Sequence, residues 1–123
     1  MDIVKVQKEI EGRIAKLEAG MKVIEDTGSK LALAEAEYDR DLALAMLGIE
    51  HNSVKEIEGI PIGKVTTTTL REKAKGVCWQ ARLRLSQAEN SHKVAKMKME
   101  TIAAQLNAWQ SIFRHLEQTN VGA

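Results

Sequence analysis

The 123-residue sequence predicts an all-α fold, a long antiparallel two-helix coiled-coil hairpin with a structured connecting segment. Three observations carry that prediction. Apolar residues recur at alternating four- and three-residue spacing in both halves of the chain, the two halves are nearly equal in length, and their charges are opposed. Residues 2–48 hold seven Lys/Arg against ten Asp/Glu, and residues 69–118 hold nine against four. Laid side by side, such halves attract.

The first helix is read over about residues 2–47. Ile3, Ile10, Leu17, Ile24, Leu31, Tyr38 and Ala45 recur every seven residues. A second series, Gln7, Ile14, Met21, Gly28, Glu35 and Leu42, interleaves with it as a coiled-coil seam does. Gln7, Gly28 and Glu35 are its imperfect members. The stripe keeps its phase across Gly28, so one helix about 65–70 Å long is expected at roughly 1.5 Å per residue. The alternative ends a helix at Asp26-Thr27-Gly28-Ser29 and starts another after it.

The second helix is read over about residues 69–118, followed by a short C-terminal tail. Its series are Ala74, Ala81, Ala88, Ala95, Ile102, Trp109 and Leu116, with Cys78, Leu85, His92, Met99, Leu106 and Phe113. Thr69-Leu70-Arg71-Glu72 has the spacing of a capping box at its start. Antiparallel pairing sets Ile3 near Leu116 and Tyr38 near Ala81, all within a single domain covering 1–123.

The connection, about residues 48–68, is expected to begin with a helix stop at Gly48. Ser53-Val54-Lys55-Glu56 reads as a second capping box, opening a short helix over Ser53–Glu58 that ends at Gly59. Ile57, Ile60, Ile62 and Val65 are too apolar for a solvated linker, and a connection of this length is a specialised feature. Gly59-Ile-Pro-Ile-Gly63-Lys64 approaches a phosphate loop but has three residues between its glycines, and Val65 where a Ser or Thr would bind magnesium. A weaker anion site survives in Lys64, Thr66, Thr67, Thr68 and Arg71 at the start of the second helix.

A two-helix hairpin has one seam, so apolar residues outside it need covering. Val23, Leu33, Leu44 and Leu47 lie off the seam of the first helix, and Trp79, Leu83, Val94 and Met97 off that of the second. Either the connection folds onto them or a second copy docks, giving a dimer, a four-helix arrangement or a larger bundle. The expected protein interface is Leu33, Leu44, Leu47, Ile57, Ile60, Ile62, Trp79, Leu83, Val94 and Met97.

Composition excludes several function classes. The chain has one Phe, one Tyr, two Trp and one Pro, so aromatics for stacking single-stranded bases are nearly absent, Trp79 being the one candidate. No apolar run spans a bilayer, and Met1-Asp2-Ile3-Val4-Lys5 is not a secretory start. One cysteine makes no internal disulfide, which fits a reducing cytoplasm. His51, His92 and His115 are too scattered for a shared metal, and Cys78 has no paired base. Glu35, Glu37, Asp39 and Asp41 alternate around the helix and are expected to meet Arg82 and Arg84. No catalytic residue, metal or cofactor is expected. The basic residues Arg71, Lys73, Lys75, Arg82, Arg84, Lys93, Lys96 and Lys98 spread around the second helix, which weakens but leaves open nucleic-acid binding.

The order of parts is a heptad helix, the Gly-Ile-Pro-Ile-Gly segment with its threonines, then a helix closing on Leu106-Asn107-Ala108-Trp109-Gln110-Ser111-Ile112-Phe113. It resembles small helical accessory proteins encoded in bacteriophage genomes. The resemblance spans the chain as architecture, contains no diagnostic motif and carries over no functional residues. It implies a viral accessory role in the host cytoplasm, in nucleic-acid metabolism or in interference with a host factor. The function expected from the residues is a self-associating, non-enzymatic adaptor that binds another protein. Phosphate-ligand or nucleotide binding at the second-helix N-terminus, and nucleic-acid binding through that helix, are the alternatives.

Overall fold

A computed structural model describes residues 2–121. Helix α1 is Ile3–Glu50, strands β1 and β2 are Glu56–Ile57 and Ile60–Pro61, helix α2 is Leu70–Val77, and helix α3 is Trp79–Val121. The chain forms two compact units, one within Met1–Thr27 and Ser91–Ala123, the other Gly28–Asn90. Helices α1 and α3 each contribute to both units. The tail expected after residue 118 is helical through Val121; Gly122 and Ala123 lie outside the described residues.

Helix α1 begins where Asp2 places a side-chain oxygen 3.0 Å from the Val4 N–H, as an N-cap does. It runs unbroken through Gly28 and past Gly48, three residues beyond the predicted end. Its stop is Asn52, at φ 56°. The Asn52 N–H donates to the Ile49 carbonyl and the Ser53 N–H to the Gly48 carbonyl, at 3.2 and 2.9 Å. These are the paired bonds of a Schellman motif, with Asn in the left-handed position. Gly48 serves another purpose: a Cβ there would sit 2.6 Å from Val54 Cγ2, so glycine lets the chain turn back closely.

The short helix expected over Ser53–Glu58 is absent. Ser53 spends both its N–H and its hydroxyl on the Gly48 carbonyl, leaving nothing to cap a new helix. The segment forms an antiparallel hairpin with Ile57 opposite Ile60 and Glu56 opposite Pro61. Glu58 and Gly59, at φ 48° and 81°, make its two-residue turn, the conformation a type I′ hairpin requires. Pro61 is tolerated because a two-stranded sheet is all edge.

The second predicted capping box also moves. Thr69 makes no side-chain cap bond, and Glu72 pairs instead with Lys75 at 3.2 Å. The box is built three residues earlier. The Thr66 N–H donates to Thr69 Oγ1 at 2.9 Å, the Thr69 N–H to Thr66 Oγ1 at 3.3 Å, and the Leu70 N–H to the Thr66 carbonyl. Threonine thus replaces glutamate as the reciprocal partner. The second helix is interrupted at Cys78, whose backbone leaves helical geometry at φ −101°, ψ 32°. Gly76 lies beside this break, with Ile57 Cδ1 2.9 Å from where its Cβ would be, a site of the type that kinks helices.

In the first unit, α1 and α3 pair antiparallel. Thr27 Oγ1 lies 2.9 Å from His92 Nδ1, Gly20 is packed on Met99, and Arg13 lies over the Trp109 ring at 5.6 Å. Both predicted series on α3 face inward there. On α1 only the first does. Ile14 and Met21, predicted for the seam, are exposed, and their places are taken one residue earlier by Val6, Arg13, Gly20 and Thr27. At Gly20 size decides this, since a Cβ there would already meet the Met99 side chain.

In the second unit the core is Leu42, Ala45 and Ile49 of α1, Ile62, and Leu70, Ala74 and Cys78, with Tyr38, Val54, Ile57 and Val65 against it. The Lys73 ammonium donates to the Ile62 carbonyl, tying the hairpin to α2. Asp41 lies 3.9 Å from Arg84, and Arg82 over the Tyr38 ring at 5.7 Å, as the charge division of the sequence anticipates.

Two glycine substitutions of opposite sign test this description. Gly12→Ala meets no atom within 4 Å and should raise stability by about 0.5–1 kcal/mol through helix propensity. Gly48→Ala forces Val54 outward and should lower stability by about 1–2 kcal/mol, the overpacking cost exceeding the propensity gain. Thermal unfolding followed by circular dichroism reads both.

Candidate interaction surface

Ten apolar residues were expected at an interface, and the structure separates them. Ile62 is 6% exposed and belongs to the second unit's core, with Ile57 half-buried beside it. Both act as the connection's own packing in the second unit. The other eight, Leu33, Leu44, Leu47, Ile60, Trp79, Leu83, Val94 and Met97, are exposed, from 39% at Val94 to 70% at Ile60.

Within the second unit these residues do not converge. Leu44 borders a groove of about 340 Å³ together with Ala45, Val77, Cys78 and Ala81, flanked by Asp41 and Arg84. At about 100° per residue, Leu33 falls close to the same side of α1 as Leu44, while Leu47 turns away from the seam. Trp79 and Leu83, one turn apart on α3, lie outside the groove. Ile60 borders a separate depression with Ile57, Pro61 and Lys73.

The expected anion site is brought only partly together. Lys64, Thr66 and Thr67 line a pocket of about 590 Å³ that also takes in Glu50 and Lys55; Thr68 and Arg71 are not among its lining residues. Thr66 Oγ1 lies 3.0 Å from both Thr68 Oγ1 and Thr69 Oγ1, so these hydroxyls are engaged in starting α2. Gly59 of the near-miss phosphate loop belongs to the hairpin turn. Several basic residues considered for nucleic acid are committed inside the second unit: Lys73 to the Ile62 carbonyl, Lys75 to Glu72, Arg82 near Glu89 and Arg84 near Asp41.

In the first unit Val94 and Met97 belong to a longer feature. Val94, Met97, Thr101, Ala104, Ala108 and Ser111 of α3 are all exposed and all uncharged. Their spacing alternates three and four, so they form one stripe on a helix. It lies on the face of α3 turned away from the seam, which contains Ala95, Met99 and Ile102. Thr101 donates its hydroxyl to the Met97 carbonyl at 3.1 Å, satisfying its polar group within the helix. Val94, Met97, Thr101 and Ile102 border an apolar groove of about 430 Å³ with the Lys98 stem. The signal was legible as an interruption in the charge pattern: Lys93, Lys96, Lys98 and Glu100 flank the stripe and none enters it. A search for apolar residues alone passes over Thr, Ala and Ser.

His92 bonds Thr27, which accounts for it structurally. Cys78 is buried against the second unit's core. Burial pushes its thiol pKa above the usual value, and the neighbouring Asp41 carboxylate adds to the rise. Comparison of the chain with protein families, with curated proteins and with solved structures gives no match.

The Cys78 environment has a measurable consequence. A thiol whose folded pKa is raised favours the native state only while protonated. Its contribution is therefore full below the unfolded-state thiol pKa of about 8.5 and is lost as pH climbs through the higher folded value. Alkylation of Cys78 by iodoacetamide, followed against pH by mass spectrometry, should have its midpoint above that of a free thiol. Asp41→Asn should shift the midpoint down.

Proposed function

We propose that the protein is a non-enzymatic helical adaptor that self-associates and engages a further protein through its outward helix faces. The observation that carries this reading is the outer stripe of α3, Val94, Met97, Thr101, Ala104, Ala108 and Ser111, exposed and uncharged at coiled-coil spacing. A stripe of this kind has the pattern that receives a partner helix, and small residues at Ala104 and Ala108 permit close approach. The first unit already uses the same device inwardly, where Gly20 receives Met99.

A second copy is the partner proposed first, since it brings the identical stripe and gives a closed dimer. Two pairs of helices then make a four-helix arrangement. The exposed Leu44 and Trp79 of the second unit are left for the further protein. The resemblance to small phage-encoded helical proteins extends the proposal to a viral accessory or host-interfering role in the host cytoplasm. No helix among the described residues is long and apolar enough to cross a membrane.

Size-exclusion chromatography with light scattering tests the stripe. The unmodified chain should elute as a dimer or larger species whose mass is insensitive to salt. Ala104→Glu places a carboxylate in the stripe at an exposed position and should yield a monomer with unchanged helicity. A monomeric unmodified chain, or a dimer untouched by Ala104→Glu, overturns the proposal.

A further inference from the structure

The outer stripe of α3 is bordered by two flanks of different charge. Lys93, Glu100, Asn107 and Arg114 recur every seven residues along one side of it, and Lys98, Gln105 and Ile112 along the other. At about 100° per residue each flank stands roughly 80° from the midline of the stripe. Side chains at such places reach across to a partner helix and set its orientation. Lys93, Lys98, Glu100 and Arg114 are exposed, and none of the four makes an ion pair among the described residues.

We infer that two copies of the chain pair through this stripe in antiparallel orientation, with Glu100 of each copy against Arg114 of the other. The inference rests on the proposed self-association and adds its direction and register. In a parallel pair the two flanks meet each other, which sets Lys93 against Lys98 twice and Glu100 against the uncharged Gln105. That orientation offers repulsion and no attraction. In an antiparallel pair each flank meets itself, and the register decides which charges meet. With the two-fold axis at Glu100 the two glutamates oppose each other. With the axis midway between Glu100 and Asn107, Lys93 opposes Arg114. Both registers bring like charges together. With the axis beside Asn107, two Glu100–Arg114 pairs form, Thr101 lies against Ser111, and Ala104 lies against Ala108, where small residues let the backbones approach. Matching Glu100 with Lys93 is also attractive, but it leaves only Val94 and Met97 paired stripe to stripe.

Light scattering over a dilution series gives the dimer dissociation constant of the full chain and its variants. Arg114→Glu exchanges two attractions for two repulsions and should weaken the dimer about tenfold, as should Glu100→Arg. The double variant Glu100→Arg/Arg114→Glu should return to within about threefold of the unmodified chain. Lys98→Glu, which tightens a parallel pair by giving Lys93 an opposite charge, should change the constant little. All three positions are exposed, and circular dichroism checks the helicity of each variant. A dimer that Arg114→Glu leaves unchanged, that the double variant fails to restore, or that Lys98→Glu tightens overturns the inference and leaves self-association standing. A monomeric unmodified chain overturns both.

Discussion

An uncharged stripe on a helix must be covered, because a helix satisfies its own backbone but leaves its apolar side chains in water. Burying one such side chain contributes about 1.5–3 kcal/mol, whereas helix propensity alone leaves isolated helices marginal. Each part of this protein answers that requirement differently. In the first unit α1 and α3 cover each other, with His92, Met99 and Trp109 set against Thr27, Gly20 and Arg13. In the second unit the core is broader than one seam, and the connection supplies the missing cover by sinking Ile62 among Leu42, Ile49, Leu70 and Ala74. The outer stripe of α3 is exposed, and the partner helix proposed for it would be the same kind of answer.

That requirement also explains which parts of the structure were legible in the sequence. Helix α3 was read in correct register because large residues mark its seam. One of the two series on α1 misled, because Arg13, Gly20 and Thr27 stand where apolar residues would mark a seam. Ile14 and Met21 are the more hydrophobic residues, but Arg13 and Gly20 fit opposite Trp109 and Met99. Hydrophobicity in one helix does not report the volume available in the other, and the second series slipped by one residue.

The connection was legible in its composition and not in its conformation. Ile57 and Ile62 are core residues, as their apolar character suggests, but Ser53 and Glu56 gave a false helix start. The deciding residue was Asn52, whose left-handed backbone ends α1 and sends Ser53 back to the Gly48 carbonyl. Likewise Thr69 and Glu72 have capping spacing, yet Thr66 reaches Thr69 first. Local patterns compete for the same hydrogen bonds, and chain direction settles the competition. Of the candidate sites, Lys64, Thr66 and Thr67 were found by sequence, whereas Glu50 and Lys55 join them only through the fold.

The claim on which the functional account rests is that the outer stripe of α3 faces another α3. Disulfide trapping tests it most directly. In a Cys78→Ala background, cysteine is introduced at Ala108 in one variant and at the exposed Lys22 of α1 in another, and both are oxidised in dilute solution. The account predicts a covalent dimer from Ala108→Cys and little from Lys22→Cys. Equal trapping at the two positions, or none at Ala108, would contradict it.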